Sequence, residues 1–283
     1  MDWIMNGLQR DLILFENQIP FFVLCKLFDL IEAPNQHNRL IYLVLFFCQS
    51  LYPGAVYEYR TNRSSQEIKH LLDLIHSNWR PSSNDVYVDI VNDLPIERES
   101  RFIHSVTELT DANVKFRKLK SDSLFGVDFT KGVMLMPTLT IEDRTDCFFR
   151  NLVVYEQYFP NNRPSFVTDY VGFLDCLINS SRDVEILSQC GIIDNWLGDN
   201  QVVANIFNHL TDAVTGPNKH FMYAGIVDRV NKHYKQPWSR AMAVLRRDYF
   251  NSHWAYITFC SALLLLLLTV AQTVCSVLQV EVV

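Results

Sequence analysis

WAYITFCSALLLLLLTVAQTVCSVL, residues 254–278, carries no formal charge from end to end, and its reading decides how the rest of the chain is arranged. At 1.5 Å per residue a helix of this length crosses a hydrocarbon core of roughly 30 Å. A second apolar run, LIYLVLFFCQSL at 40–51, is too short to span and reads as a buried core helix. The sequence thus predicts one C-terminal transmembrane helix, with nearly all of the mass in a soluble domain before it. Trp254 and Tyr256 suit the aromatic belt at one interface, Leu263, Leu264, Leu265, Leu266, Leu267 and Leu268 form the apolar centre, and Leu278 closes the span. Thr258, Ser261, Thr269, Gln272 and Thr273 interrupt it. Such groups bond either a neighbouring helix or their own backbone, and local bonding is the expectation.

Immediately before the span lie Arg229, Lys232, Lys235, Arg240, Arg246 and Arg247, with no acidic residue between the first and the last. Only Glu281 follows the span. The positive-inside rule therefore places the N-terminal domain in the cytosol. Residues 279–283 alone follow Leu278, so insertion is expected after synthesis ends, in a tail-anchored arrangement. The same cations are suited to anionic lipids, at about 1 kcal/mol for each well-placed residue. They stand out because the whole chain carries a net charge of -6. An acidic domain without a basic-aromatic module predicts no nucleic-acid partner. The N-terminus, MDWIMNGLQRDLILFENQ, lacks the basic leader and uninterrupted apolar stretch of a signal peptide, which leaves the sequons at Asn62 and Asn179 without weight.

An apolar content of 49% excludes global disorder, while few glycines (9) and many phenylalanines (19) favour helices packed through large apolar faces. The expected fold is mainly α, a helical bundle-like domain with one short β-hairpin and a C-terminal transmembrane helix. Five of the seven cysteines, Cys25, Cys48, Cys147, Cys176 and Cys190, lie outside the apolar tail in apolar surroundings and without CxxC spacing. They read as small core residues in a reducing compartment.

Residues 1–79 form an N-terminal helical segment, with apolar spacing over 8–31 broken at Pro20 and helices expected at 38–51 and 64–79, the last opened by Ser64, Ser65 and Glu67. Residues 80–98 are rich in Pro, Ser, Asn and Asp and read as a linker or exposed loop. A helical domain follows over 99–236, with helices at 99–112, 143–158, 167–179, 182–190, 199–214 and 219–235. Alternating apolar residues around Thr130-Lys131-Gly132 predict its hairpin, the one convincing β element. Residues 237–278 read as a continuous juxtamembrane and transmembrane helix, and 279–283 as a short tail.

No GxSxG elbow, HExxH or glycine-rich phosphate loop is present, and the eight histidines have no ligand spacing. No catalytic, cofactor-binding or metal-ligating residue is assigned, no small-molecule substrate is evident, and the chain is not expected to be an enzyme. Glu142 and Asp143 read as helix-opening charges rather than an acid/base pair. Glu16, Asn17 and Gln18, a polar island between apolar runs, fit either a buried network or an exposed helix face.

The strings FENQIPFFVLCKLF (15–28), ELTDANVKFRK (108–118), GVMLMPTLTIEDRTDCFFRNLVVYEQ (132–157), VTDYVGFLDCLINSSRDVEILSQCGIIDNWLG (167–198) and the run from Asn231 to Val274 resemble the plant family catalogued as domain of unknown function 247. The resemblance implies a plant protein with a helical domain and a C-terminal membrane anchor, and brings no general enzymatic activity. It also implies a further N-terminal region before the ENQIPFF segment, relative to which this chain is expected to be short. Together these readings favour a membrane-anchored interaction or signalling component bound to the lipid bilayer and to an unknown protein partner. The alternatives are a membrane-associated enzyme of unrecognised type and a structural protein pairing through its transmembrane helix.

Overall fold

The computed structural model describes residues 2–32, 36–54, 63–79, 81, 102–121, 123–159, 165–212, 214, 221–236 and 253–280. The apolar run 8–31 is divided by its proline. Helix α1 (Asp2–Ile13) gives way to a 3-10 turn at Phe15–Asn17, and Pro20 then stands at the N-cap of α2 (Phe21–Phe28), where its fixed φ and missing amide do no harm. Helix α3 (His37–Phe47) stands where a buried core helix was expected, but it ends before the 3-10 turn Gln49–Leu51 and is buried on one face only, through Ile41 and Leu45, with Tyr42, Leu43 and Phe46 exposed.

Helix α4 (Leu71–Asn78) begins later than Ser64 and Ser65 suggest. The Nδ1 atom of His70 accepts the Asp73 amide, Asp73 Oδ2 accepts the Lys69 amide, and residues 65–67 form a turn. The two side chains reciprocally satisfy the end amides, so helix nucleation shifts to this pair. Helix α5 (Val106–Asp111) is likewise shorter than 99–112. Ser105 and Glu108 form a capping box that fixes its start, and residues 102–105 are irregular.

The expected hairpin is present as β2 (Asp128–Thr130) and β3 (Val133–Met136), paired antiparallel with Phe129 opposite Met134. It is not the whole of the β structure. Strand β1 (Lys115–Lys118) pairs parallel to β3 with Lys115 opposite Val133, giving the order β1-β3-β2. Strands β4 (Leu139–Ile141) and β5 (Ile193–Asn195) form a separate parallel pair. Both additions are too short for an alternation signal, and β1 contributes one buried side chain, Phe116.

Helices α6 (Thr145–Tyr158), α7 (Phe166–Leu177) and α8 (Ser181–Gln189) follow close to their expected bounds, α9 (Asn200–Leu210) ends a turn before the expected 214, α10 (Ala224–Tyr234) begins a turn after the expected 219, and α11 (His253–Val280) ends the described chain. The main core collects Ile13, Cys48 and Leu51 from the first helices with Phe149, Tyr170 and Val227 from later ones. Trp79 sits at its centre, fully buried, its ring 4.8 Å from Phe125 and 5.0 Å from Phe148. A smaller cluster of Phe21, Cys25, Ile41, Leu45, Ile68 and Leu74 joins α2, α3 and α4. Of the suggested linker only Pro81 is described, and residues 237–252 of the suggested long helix lie outside the described residues.

Candidate functional sites: an exposed apolar helix and a basic cavity

Helix α11 has 28 residues, about 42 Å at 1.5 Å per residue, and is the one helix among the described residues long and apolar enough to cross a membrane. No residue of its window Ile257–Val274 is buried, and Leu263 to Leu268 are each between 51% and 63% exposed. Water leaves so continuous an apolar surface unstable by about 25 cal/mol for each Å². Lipid removes that cost. The hydroxyls along the helix are turned inward on their own backbone: Ser261 donates to the Ile257 carbonyl at 2.8 Å, Thr269 to Leu266 at 2.9 Å and Thr273 to Val270 at 2.8 Å. Trp254, Tyr256 and Leu278 lie on this helix with their side chains outside the described set.

The basic residues before the span divide into two groups. Arg229, on α10, holds Asp128 of β2 at 3.2 Å, Lys232 holds Asp228 one turn earlier at 2.7 Å, and Lys235 is exposed. Arg240, Arg246 and Arg247 lie outside the described residues. The end of α10 is fixed on the sheet: Gly132 has a φ of +76°, and a Cβ there would stand 3.1 Å from the His233 ring. The Lys115 amide donates to the Gly132 carbonyl at 2.9 Å, so β1 starts beside the place where α10 ends.

A cavity of about 430 Å³ opens between the two small sheets. Its walls carry Lys118 and Lys120 from the end of β1, the hydroxyls of Ser121, Ser123, Thr138 and Thr140, and the apolar side chains of Leu119, Leu124 and Pro137 over Gly54. The Thr138 hydroxyl donates to the Gly191 carbonyl at 2.8 Å and ties the β3–β4 connection to the turn before β5.

A model of a plant protein family of unknown function, domain of unknown function 247, matches residues 1–268. The chain belongs to this family. It is 28% identical over 297 residues to UPF0481 protein At3g47200 of Arabidopsis thaliana, covering 98% of this chain and 61% of the relative. It is also 29% identical over 176 residues to the putative UPF0481 protein At3g02645 of the same plant, covering 62% of this chain and 33% of that relative. The chain therefore spans about three-fifths of the length of the first relative and a third of the second. No solved structure matches.

Within this domain-of-unknown-function-247 chain, the polar residues of the resembling strings are mostly structural. In the ENQIPFF segment Gln18 donates to the Leu12 and Leu14 carbonyls and accepts the Leu72 amide, which joins the end of α1 to the start of α4. Glu16 and Asn17 are exposed, so the polar island is half network and half surface. Glu156, buried on α6, accepts from the Val167 and Thr168 amides and the Thr168 hydroxyl, and contacts His76 Nε2 at 2.8 Å. One carboxylate thus caps α7 and holds α4. Asp183 performs a similar task for α5 and α8, accepting from Thr107, Asn179 and Ser180.

Sequence reasoning passed over Asp73, His76, Glu156 and Asp183. The spacing of Asp73 and His76 on one helix face was the available signal for the first pair. Glu142, read as a helix-opening charge, instead pairs with Arg144 at 2.7 Å, and α6 begins at Thr145, whose hydroxyl accepts the Glu142 amide. Among the described residues Cys25 and Cys48 are buried thiols, Cys147, Cys176 and Cys190 are half-buried, and Cys260 is exposed on α11. Burial pushes the Cys48 thiol up to about 12. No group of three His, Cys, Asp or Glu among the described residues is arranged to hold a metal ion.

Proposed function

We propose that the chain is a membrane-tethered interaction component of the plant cell, anchored by α11 with its helical domain in the cytosol. The observation that carries this reading is the wholly exposed apolar window Ile257–Val274, set against core leucines such as Leu72, Leu74 and Leu152, which are fully buried. Six cations against one acidic residue across the span support the orientation. Interaction rather than catalysis is supported by two features. Phe22, Leu30, Ile31 and Phe46 on and just after α2 and α3 are left exposed, surface that a second protein chain with an apolar face would cover. Among the described residues that line the cavity between the sheets are lysines and hydroxyls but no His, Cys or carboxylate.

Alkaline carbonate extraction of plant membranes tests the anchor. The full chain is expected in the pellet, and a variant carrying Leu264→Arg and Leu267→Arg in the soluble fraction. Wild-type chain released by carbonate would overturn the reading.

A further inference from the structure

We propose that Asp29, His37 and Ser65 form an acyl-transfer site that takes aliphatic esters, with Ser65 as the nucleophile. Three separate segments bring these side chains together. Asp29 stands at the C-cap of α2, His37 is the first residue of α3, and Ser65 lies in the turn that the Glu67 amide closes on the Ser64 carbonyl at 3.0 Å. His37 Nε2 is 3.1 Å from both carboxylate oxygens of Asp29, and its Nδ1 is 3.2 Å from Ser65 Oγ. An ionised carboxylate only accepts, so Asp29 takes the Nε2 proton and leaves Nδ1 a lone pair for the Ser65 hydroxyl. His76, His104 and His209 each hold a carboxylate too, but at His37 a hydroxyl occupies the other ring nitrogen as well. Nucleophile, base and orienting carboxylate in that order are the groups acyl transfer needs.

The three side chains also tie α2, α3 and the turn together, and a tie alone would account for their contacts. Their surroundings go further. Ser65 and His37 are half-buried rather than sealed, with 24% of the His37 side chain open to solvent, so a carbonyl group has access to both. The amides of Ser65 and Gln66, in the turn that carries the nucleophile, donate to no acceptor among the described residues and are left for an oxyanion. Leu30 and Ile31, directly after Asp29, are 83% and 82% exposed, an apolar border that selects an aliphatic acyl group. Cys25, the rival nucleophile, is buried, and burial and the Asp29 charge push its thiol up.

Ser65 Oγ bonds to the ester carbonyl carbon while its proton passes to His37 Nδ1. His37 returns that proton to the departing alcohol as the C–O bond breaks, which leaves acyl-Ser65. Water then repeats the sequence, freeing the acid and restoring the serine hydroxyl. Asp29 acts as a positioning residue through His37. Neither the anchor nor the cavity between the sheets takes part, so the site stands independently of the tether reading. A partner resting on Leu30 and Ile31 would close it, and the activity belongs to the unpartnered chain.

The test treats the full chain in dodecyl maltoside with an alkyl fluorophosphonate, whose phosphorus bonds to an activated serine oxygen as fluoride leaves. Mass spectrometry of the digested chain is expected to place an adduct on Ser65, and an excess of p-nitrophenyl butyrate to slow its formation. His37→Gln should slow labelling by about 100-fold, the smaller end of what a general base supplies. Asp29→Asn should also label more slowly, with part of the rate recovered in Asp29→Glu, while Ser64→Ala leaves the rate unchanged. Thermal unfolding by circular dichroism confirms that the variants fold, and the adduct's position in the wild-type chain is decisive without them. Wild-type chain without an adduct on Ser65, labelling that the ester does not slow, or labelling as fast in His37→Gln overturns the proposal.

Discussion

The Tyr155 hydroxyl donates to Asp73 Oδ1 at 2.7 Å, joining α6 to α4 across 82 residues of sequence. Burial alone would raise the Asp73 carboxyl, but the Lys69 amide, the Arg63 guanidinium and the Tyr155 hydroxyl together hold it below its ordinary value. The folded state therefore binds this proton less readily than the unfolded chain. Its stabilisation is complete above the unfolded value of about 3.9 and is lost as pH falls through the lower folded value. Asp73→Asn is expected to cost about 1.5–3 kcal/mol at neutral pH. In urea unfolding of the full chain in nonionic detergent, the gap to wild type should narrow below about pH 4. A gap independent of pH would show that the carboxylate charge contributes nothing there.

Trp79 packs against Tyr52 from the N-terminal helices and against Phe125, Phe148 and Phe149 from the later ones. Trp79→Ala should cost about 3–5 kcal/mol. The whole domain should lose stability in one transition, because both segments share this core. Two separate transitions, with the variant shifting only one, would contradict the shared core.

Gly132 and Gly172 make a matched pair. At Gly132 the left-handed backbone and the His233 ring both resist a side chain, and Gly132→Ala should destabilise by about 1–2 kcal/mol. Gly172, inside α7, has open space around its missing Cβ, and Gly172→Ala should stabilise by about 0.5–1 kcal/mol. Thermal unfolding of the two variants should move in opposite directions, and a shared direction would sink the argument.

Cys48 is buried with its thiol pushed up to about 12, so at pH 8 it is almost wholly protonated. It should resist a maleimide reagent in the native chain and react on unfolding in denaturant. Cys260, exposed on α11, should react with a membrane-impermeant maleimide in detergent-free water only if no bilayer covers it. Mass spectrometry of labelled membranes reads both sites, and native labelling of Cys48 would contradict its burial.

Helices longer than two turns were largely legible in the sequence, since their apolar faces repeat over enough positions to be recognised, as in α6 through α9. The long apolar helix α11 was legible for the same reason carried further. Short elements were not. Strand β1 reads as a basic run because three of its four side chains face solvent, and β5 is defined by a partner, β4, some fifty residues earlier. Starts of helices were misplaced where a distant or later side chain set them, as Asp73 and His70 do for α4. The cavity was invisible because its walls come from β1, the β3–β4 connection and Gly54, three places that only the fold brings together.

Protease protection in sealed plant microsomes tests the central claim most directly, using the full chain with an epitope tag at each end. The account predicts that externally added protease removes the N-terminal tag and the domain from intact vesicles, that the short C-terminal tail is protected until detergent is added, and that Asn179, exposed at the start of α8, remains unglycosylated. An N-terminal domain protected in intact vesicles and glycosylated at Asn179 would contradict it and place the domain on the opposite side of the membrane.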